Sequence, residues 1–104
     1  MLEFLILLRP ARRDMLVTGP TPEEQSAVAQ HFAYLVQLHK QRVLAFAGRT
    51  QDNNEQTLGV AVIRCDSAKA AEDVLSADPA ILGKVFTGTI QPFGFAVGGE
   101  GVWG

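Results

Sequence analysis

The chain has 104 residues, 47% of them hydrophobic and 19% charged, with a net charge of −2 and one cysteine. That is enough for a single packed core, and it excludes a disordered chain, a disulfide-stapled scaffold and the basic footprint that a nucleic-acid backbone demands. The longest apolar runs, Phe4 to Leu8 and Leu58 to Ile63, fall far short of the ~18 residues that cross a bilayer; the first follows Glu3 and no basic region, so a strand is expected there, not a signal peptide, and a cytoplasmic protein.

Leu2 to Leu8 is apolar on both alternating faces, Phe4, Ile6 and Leu8 on one and Leu5 and Leu7 on the other, the pattern of a buried central strand. Arg9 to Pro20 is a polar stretch with two prolines, long enough as a connection to suggest function. Thr21-Pro22-Glu23-Glu24 predicts a helix start, with Thr21 capping, Pro22 at the first helical position and Glu24 completing a capping box. Val28, Phe32, Leu35 and His39 form the stripe expected to face the core, flanked by His31 and Leu38, and the pattern stops before Gln41-Arg42.

Arg42 to Gly48 reads as a second two-faced strand, with Val43, Ala45 and Ala47 against Leu44 and Phe46, and Thr57 to Cys65 as a third, joined by the polar loop Arg49 to Gln56. Asp66-Ser67 offers caps for a second helix carrying Ala68, Ala71, Val74 and Leu75. Asp78-Pro79 ends that helix and starts a short turn closed by Gly83; a last strand runs from Val85 to Pro92. The glycine-rich tail is flexible unless something holds it, and Trp103 is the expected anchor.

The order βαββαβ predicts an α+β, ferredoxin-like domain over residues 1–93, an antiparallel four-stranded sheet with two helices on one face, followed by the tail 94–104. Two helices cover one side only, so the second apolar face predicts a homodimer built through the open sheet face.

His31-Phe32-Ala33-Tyr34-Leu35, then Leu38, Val43 to Gly48, Ser67 to Ala71 and Asp78-Pro79 follow one another in an order that resembles the YciI-like (YCII-related) family. That family shows an H-x-x-Y-L run on its first helix, a strand ending in Ala-Gly, a Ser-x-x-x-Ala helix and an Asp-Pro step before the last strand. The resemblance implies a dimeric ferredoxin-like α/β barrel and a small-molecule enzyme whose pocket is lined by His31 and Asp78. Members often carry an acid just after the first strand and a Gly-Pro after the second with another acid beyond. Here those places read Arg9-Pro10 and Gly48-Arg49, leaving Asp14 and Asp52 as the substitutes.

Beside that resemblance, His31 has the chemistry for acid–base work, because an imidazole titrates near neutral pH and a carboxylate can orient it. Asp78 before Pro79 is first a helix cap, with one oxygen to spare for a pocket. Arg9, Arg12, Arg13 and Arg49, with Asp52, are candidate ligand-binding residues, since guanidinium forks match a carboxylate or phosphate. His39 sits in the last turn of its helix, where a cation meets the dipole, and Cys65 reads as a small core residue.

No metal site is expected, because His31 and His39 are eight apart with no H-E-x-x-H and no cysteine pair. The tail glycines open no helix, so neither a dinucleotide nor another phosphate cofactor is expected, and the third strand lacks the aromatics on which RNA-binding domains of this topology stack bases. Two functions follow. One is an acid–base enzyme catalysing proton transfer, elimination or isomerisation at His31, with arginines steering a small anionic ligand. The alternative is a non-catalytic dimeric module that binds a metabolite or a partner protein. A carboxylate within hydrogen-bond reach of His31 favours the enzyme.

Overall fold

The computed structural model describes residues 1–103. The apolar alternation of β1 (Leu2–Pro10) places it centrally in a four-stranded antiparallel sheet with β2 (Leu44–Arg49), β3 (Gly59–Cys65) and β4 (Phe86–Pro92), in the order β2-β3-β1-β4. Helices α1 (Met15–Thr18), α2 (Pro22–Lys40), α3 (Ala68–Ser76) and α4 (Pro79–Leu82) complete the chain. The result is an α+β fold compatible with the ferredoxin-like arrangement. Among the described residues no helix is long and apolar enough to cross a membrane.

Register decides which side chains share a face. Phe4 pairs with Ile63, and Ile6 with Ala61 and Ile90; these residues face the helices with Leu8 and Leu44, and most are buried in one core with Leu38, Cys65 and Ala71. Leu5, Leu7, Val60 and Val62 point the other way, beside the exposed polar row Thr87, Thr89 and Gln91 of β4. In an unbroken strand Leu44 and Phe46 would share a face. A bulge between them sets Leu44 opposite Ile63 and Phe46 opposite Val62, so Phe46 joins the open face, 45% exposed. Gly88 of β4, across from Leu8, lies where a Cβ would come within 3.0 Å of both Leu75 and Leu8 and 3.4 Å of Ile81, so its lack of a side chain admits the α3 and α4 side chains to the sheet.

The predicted capping box is present: Thr21 Oγ1 accepts from the Glu24 amide and Glu24 Oε1 accepts from the Thr21 amide. Ser67 caps α3, and Asp78 caps α4 with Pro79 following. The stripe expected on α2 is corrected. Phe32 is 67% exposed and His39 is exposed, while Glu24 and Leu38 are buried and Val28, His31, Tyr34 and Leu35 half-buried. Apolar residues occupy two adjoining faces of this helix, and the face turned inward is about one residue, ~100°, from the one that apolar spacing favours, because the inner face carries polar residues with partners. The polar stretch after β1 is likewise more ordered than a loop: it contains α1, whose Met15 is buried.

The tail folds back. Trp103 donates its indole N–H to Glu3 Oε2 at 2.7 Å, the Arg64 guanidinium lies over its ring at 4.4 Å, and Arg42 donates to its carbonyl. Glu3 and Arg64 are paired on neighbouring strands, so the tryptophan caps that end of the sheet.

Candidate functional site

Two elements far apart in sequence meet at His31. Its position on the inner face of α2 aims the ring at the turn between α3 and α4, where the extended backbone of Asp78 at the α4 cap presents a carboxylate. His31 Nδ1 and Asp78 Oδ2 are 2.6 Å apart, and the two side chains are 12% and 5% exposed. The other oxygen, Oδ1, accepts the Ala80 amide at 2.9 Å, so the capping role and the partnership with His31 use separate oxygens. The Phe86 ring stands edge-on to the imidazole at 5.1 Å.

This arrangement fixes the imidazole. A carboxylate accepts only, so it takes the Nδ1 hydrogen and leaves the lone pair of the neutral ring on Nε2. Every buried side-chain nitrogen and oxygen among the described residues has a hydrogen-bond partner, and Nε2 makes no bond to any of those residues, so Nε2 meets solvent. A ring oriented by a nearly buried carboxylate with its second nitrogen open is equipped to take or give a proton.

Tyr34 is a participant the residue-by-residue reading missed, although it stood in the quoted H-x-x-Y-L run. One turn beyond His31, its hydroxyl donates to the Val74 carbonyl at 2.7 Å, tying α2 to the helix that leads into Asp78. Burial, then the charge of Asp78, pushes its hydroxyl above the ordinary tyrosine range. Tyr34 and Asp78 also border a cavity of about 10 Å³ between the helices and the sheet, otherwise walled by residues such as Ile6, Leu38 and Val74. That is room for about one water.

The arginines separate. Arg12 makes five hydrogen bonds inside the chain: Nε and Nη2 to the two oxygens of Glu24, Nη1 to Asp14 and Thr18, and Nη2 to the Gly19 carbonyl. Its hydrogen bond, followed by that of the Thr21 amide, holds Glu24 down to about 2. Arg49 donates to Asn53, and Asp52 accepts from Thr50 and Thr57, which keeps its carboxyl below the usual range while folding the β2–β3 loop onto itself. Arg9 and Arg13 instead line a cleft of about 220 Å³ with Pro10, Ala11, Glu55 and Thr87. The structure thus brings His31 and Asp78 together and Arg9 and Arg13 together, while Arg12, Arg49 and Asp52 each bind neighbours close by. His31 lines neither cavity. Cys65 is buried, which raises its thiol above the ordinary range. Among the described residues no group of three acids, histidines or cysteines is placed to hold a metal.

The YCII-related domain matches residues 3–93 of the chain. Among solved structures, the fold is similar to that of 5-chloro-2-hydroxyhydroquinone dehydrochlorinase from Burkholderia phenoliruptrix, in complex with 2,5-dihydroxybenzoquinone. The TM-score is 0.62 at 17% identity, over 88% of this chain and 93% of that one. No curated protein matches the chain.

Proposed function

The chain belongs to the YCII-related family, and on that premise we propose that it is a small-molecule enzyme in which His31 performs proton transfer, elimination or isomerisation. The observation that carries this reading is the 2.6 Å contact between His31 Nδ1 and Asp78, with Nε2 left open. In an elimination, Nε2 takes a proton from a substrate carbon, the C–H electron pair becomes the new double bond, and the leaving group departs with its own pair. Asp78 stabilises the imidazolium formed, and the proton then passes to solvent. The dehydrochlorinase of similar fold is named for a reaction of this class, the loss of hydrogen chloride. That supports an elimination here without naming the substrate.

The test is a panel of small chlorinated and hydroxylated aromatics, lactones and hydroxy acids, followed by chloride release or absorbance. Turnover of one member that falls by a factor of about 10² in His31→Gln, with thermal stability kept, is the expected result. Equal turnover in the variant would overturn the assignment and leave the non-catalytic module as the reading.

We also propose that the protein is a cytoplasmic homodimer joined through the open sheet face, where Leu5, Leu7, Val60 and Phe46 form an apolar strip flanked by Thr87, Thr89 and Gln91. A second copy seated on that face would close the two sheets into a barrel. Light scattering at micromolar concentration should give about twice the chain mass, and a stable monomer would remove the proposal.

A further inference from the structure

We propose that the cleft between the end of β1 and the β2–β3 loop is a binding site for a small oxyanion, a carboxylate or a phosphate, separate from His31 and Asp78 and independent of the acid–base reading. Its first support is the fate of the arginines. Arg12 is held by Glu24, Arg49 by Asn53, Arg42 by the Trp103 carbonyl and Arg64 by the Arg42 carbonyl and the Trp103 ring. Arg9 and Arg13 are the two of the six with no side-chain hydrogen bond or ion pair among the described residues, and both line this cleft. Two unpartnered guanidiniums facing one space repel each other until an anion lies between them, and their forked donors suit the paired oxygens of a carboxylate or phosphate.

The second support is rigidity. Arg9 is fixed on the central strand opposite Thr87, which places the threonine on the same face of the sheet and brings it into the wall of the cleft. Arg13 lies between Arg12, which is locked onto α2 by its five hydrogen bonds, and α1, which is anchored by buried Met15. Little backbone ordering remains to oppose binding, and the cost left is that of the two arginine side chains. The volume of about 220 Å³ suits a small anion or the charged end of a larger molecule. Glu55 is the one carboxylate in the wall and forms no ion pair with either arginine, so it opposes an anion and sets the site's strength. Phe86 and Thr87 are consecutive on edge strand β4, the first touching His31 and the second lining the cleft. The two sites therefore lie on opposite faces of one strand, the cleft at the end of the open face beside the Thr87 that flanks the proposed dimer strip.

Inorganic phosphate and acetate, titrated separately into isotope-labelled full-length chain at constant ionic strength with chloride as the balancing ion, test this by the arginine Nε–H and Thr87 amide signals. A saturable shift confined to Arg9, Arg13 and Thr87 is expected, and the stronger of the two titrations identifies the anion class. Arg9→Gln and Arg13→Gln should each weaken binding about tenfold or more, Glu55→Gln should tighten it, and His31→Gln should leave it unchanged. No saturable shift, a shift spread over all six arginines, or loss of binding in His31→Gln would overturn the proposal. The last of these would place the anion at the imidazole.

Discussion

Helix α2 makes two carboxylate contacts on one face, seven residues apart, and they differ in what they leave over. Glu24 and Arg12 leave nothing over: both carboxylate oxygens are taken, one also by the Thr21 amide, and the guanidinium spends its donors on five bonds, two to Glu24 and three to Asp14, Thr18 and Gly19. His31 and Asp78 are more sheltered still, 12% and 5% exposed against 36% and 12% for Arg12 and Glu24, yet the pair ends in an unspent ring nitrogen at the surface. Burial therefore does not separate a contact that holds the fold from one proposed to perform chemistry. The separation lies in whether a directional atom remains after every internal demand is met.

The sharpest way to break this comparison is Asp78→Asn. The amide oxygen can still cap α4 through the Ala80 amide, so the fold should survive. The amide nitrogen would donate to Nδ1, moving the imidazole hydrogen to Nε2 and removing the base. Turnover should fall by a factor of about 10² or more with a nearly unchanged melting temperature, and retained turnover would show that Asp78 does not set the tautomer. Arg12→Ala should do the opposite. It frees Glu24, Asp14 and Thr18 together, so the melting temperature should drop by several degrees and limited proteolysis should open residues 11–20, with the His31 signals little moved.

The acid limb sharpens the same contrast. Glu24 stays ionised in the fold down to about pH 2, whereas in the unfolded chain it takes a proton near its ordinary 4.5. Unfolding thus binds a proton between those values, and the contribution of Glu24, full above pH 4.5, is lost as pH falls toward 2. Melts across that window should show a steep slope that flattens in Glu24→Gln. Tyr34→Phe should cost about 1 kcal/mol, the worth of one hydrogen bond to the Val74 carbonyl, measured by urea denaturation. The smallest effect is expected for Trp103→Ala: faster amide exchange confined to residues 93–103 and the Glu3–Arg64 end of the sheet.

Much of this architecture is written in local signals. The Thr21-Pro22-Glu24 box marks the start of α2, Asp78-Pro79 marks the α3–α4 turn, and the alternation in β1 separates its two faces, because each depends on neighbours in sequence. What escaped depends on distant neighbours. Glu24 reads as a capping residue alone, since its partner Arg12 lies twelve positions back across a helix of four residues, too short to show a period. Apolar spacing places Phe32 on the inner face of α2 because hydrophobicity cannot report that Glu24 and His31 have partners inside. The bulge that turns Phe46 outward leaves no mark in an alternating pattern. His31 and Asp78, 47 residues apart, were joined through family resemblance, and no periodicity links them.

The bare position at Gly88 bears on how such a pair is kept. Leu75, Leu8 and Ile81, which crowd the space where a Cβ would stand, come from the end of α3, the central strand and α4, so they bracket the turn that presents Asp78. Adding one methyl group would oblige Leu75 and Leu8 to give way by a few tenths of an ångström in the layer on which that turn rests, with Ile81 at ordinary contact distance. Variation at residue 88 is thus expected to disturb the layer beneath the His31–Asp78 pair while leaving every candidate site residue in the sequence intact.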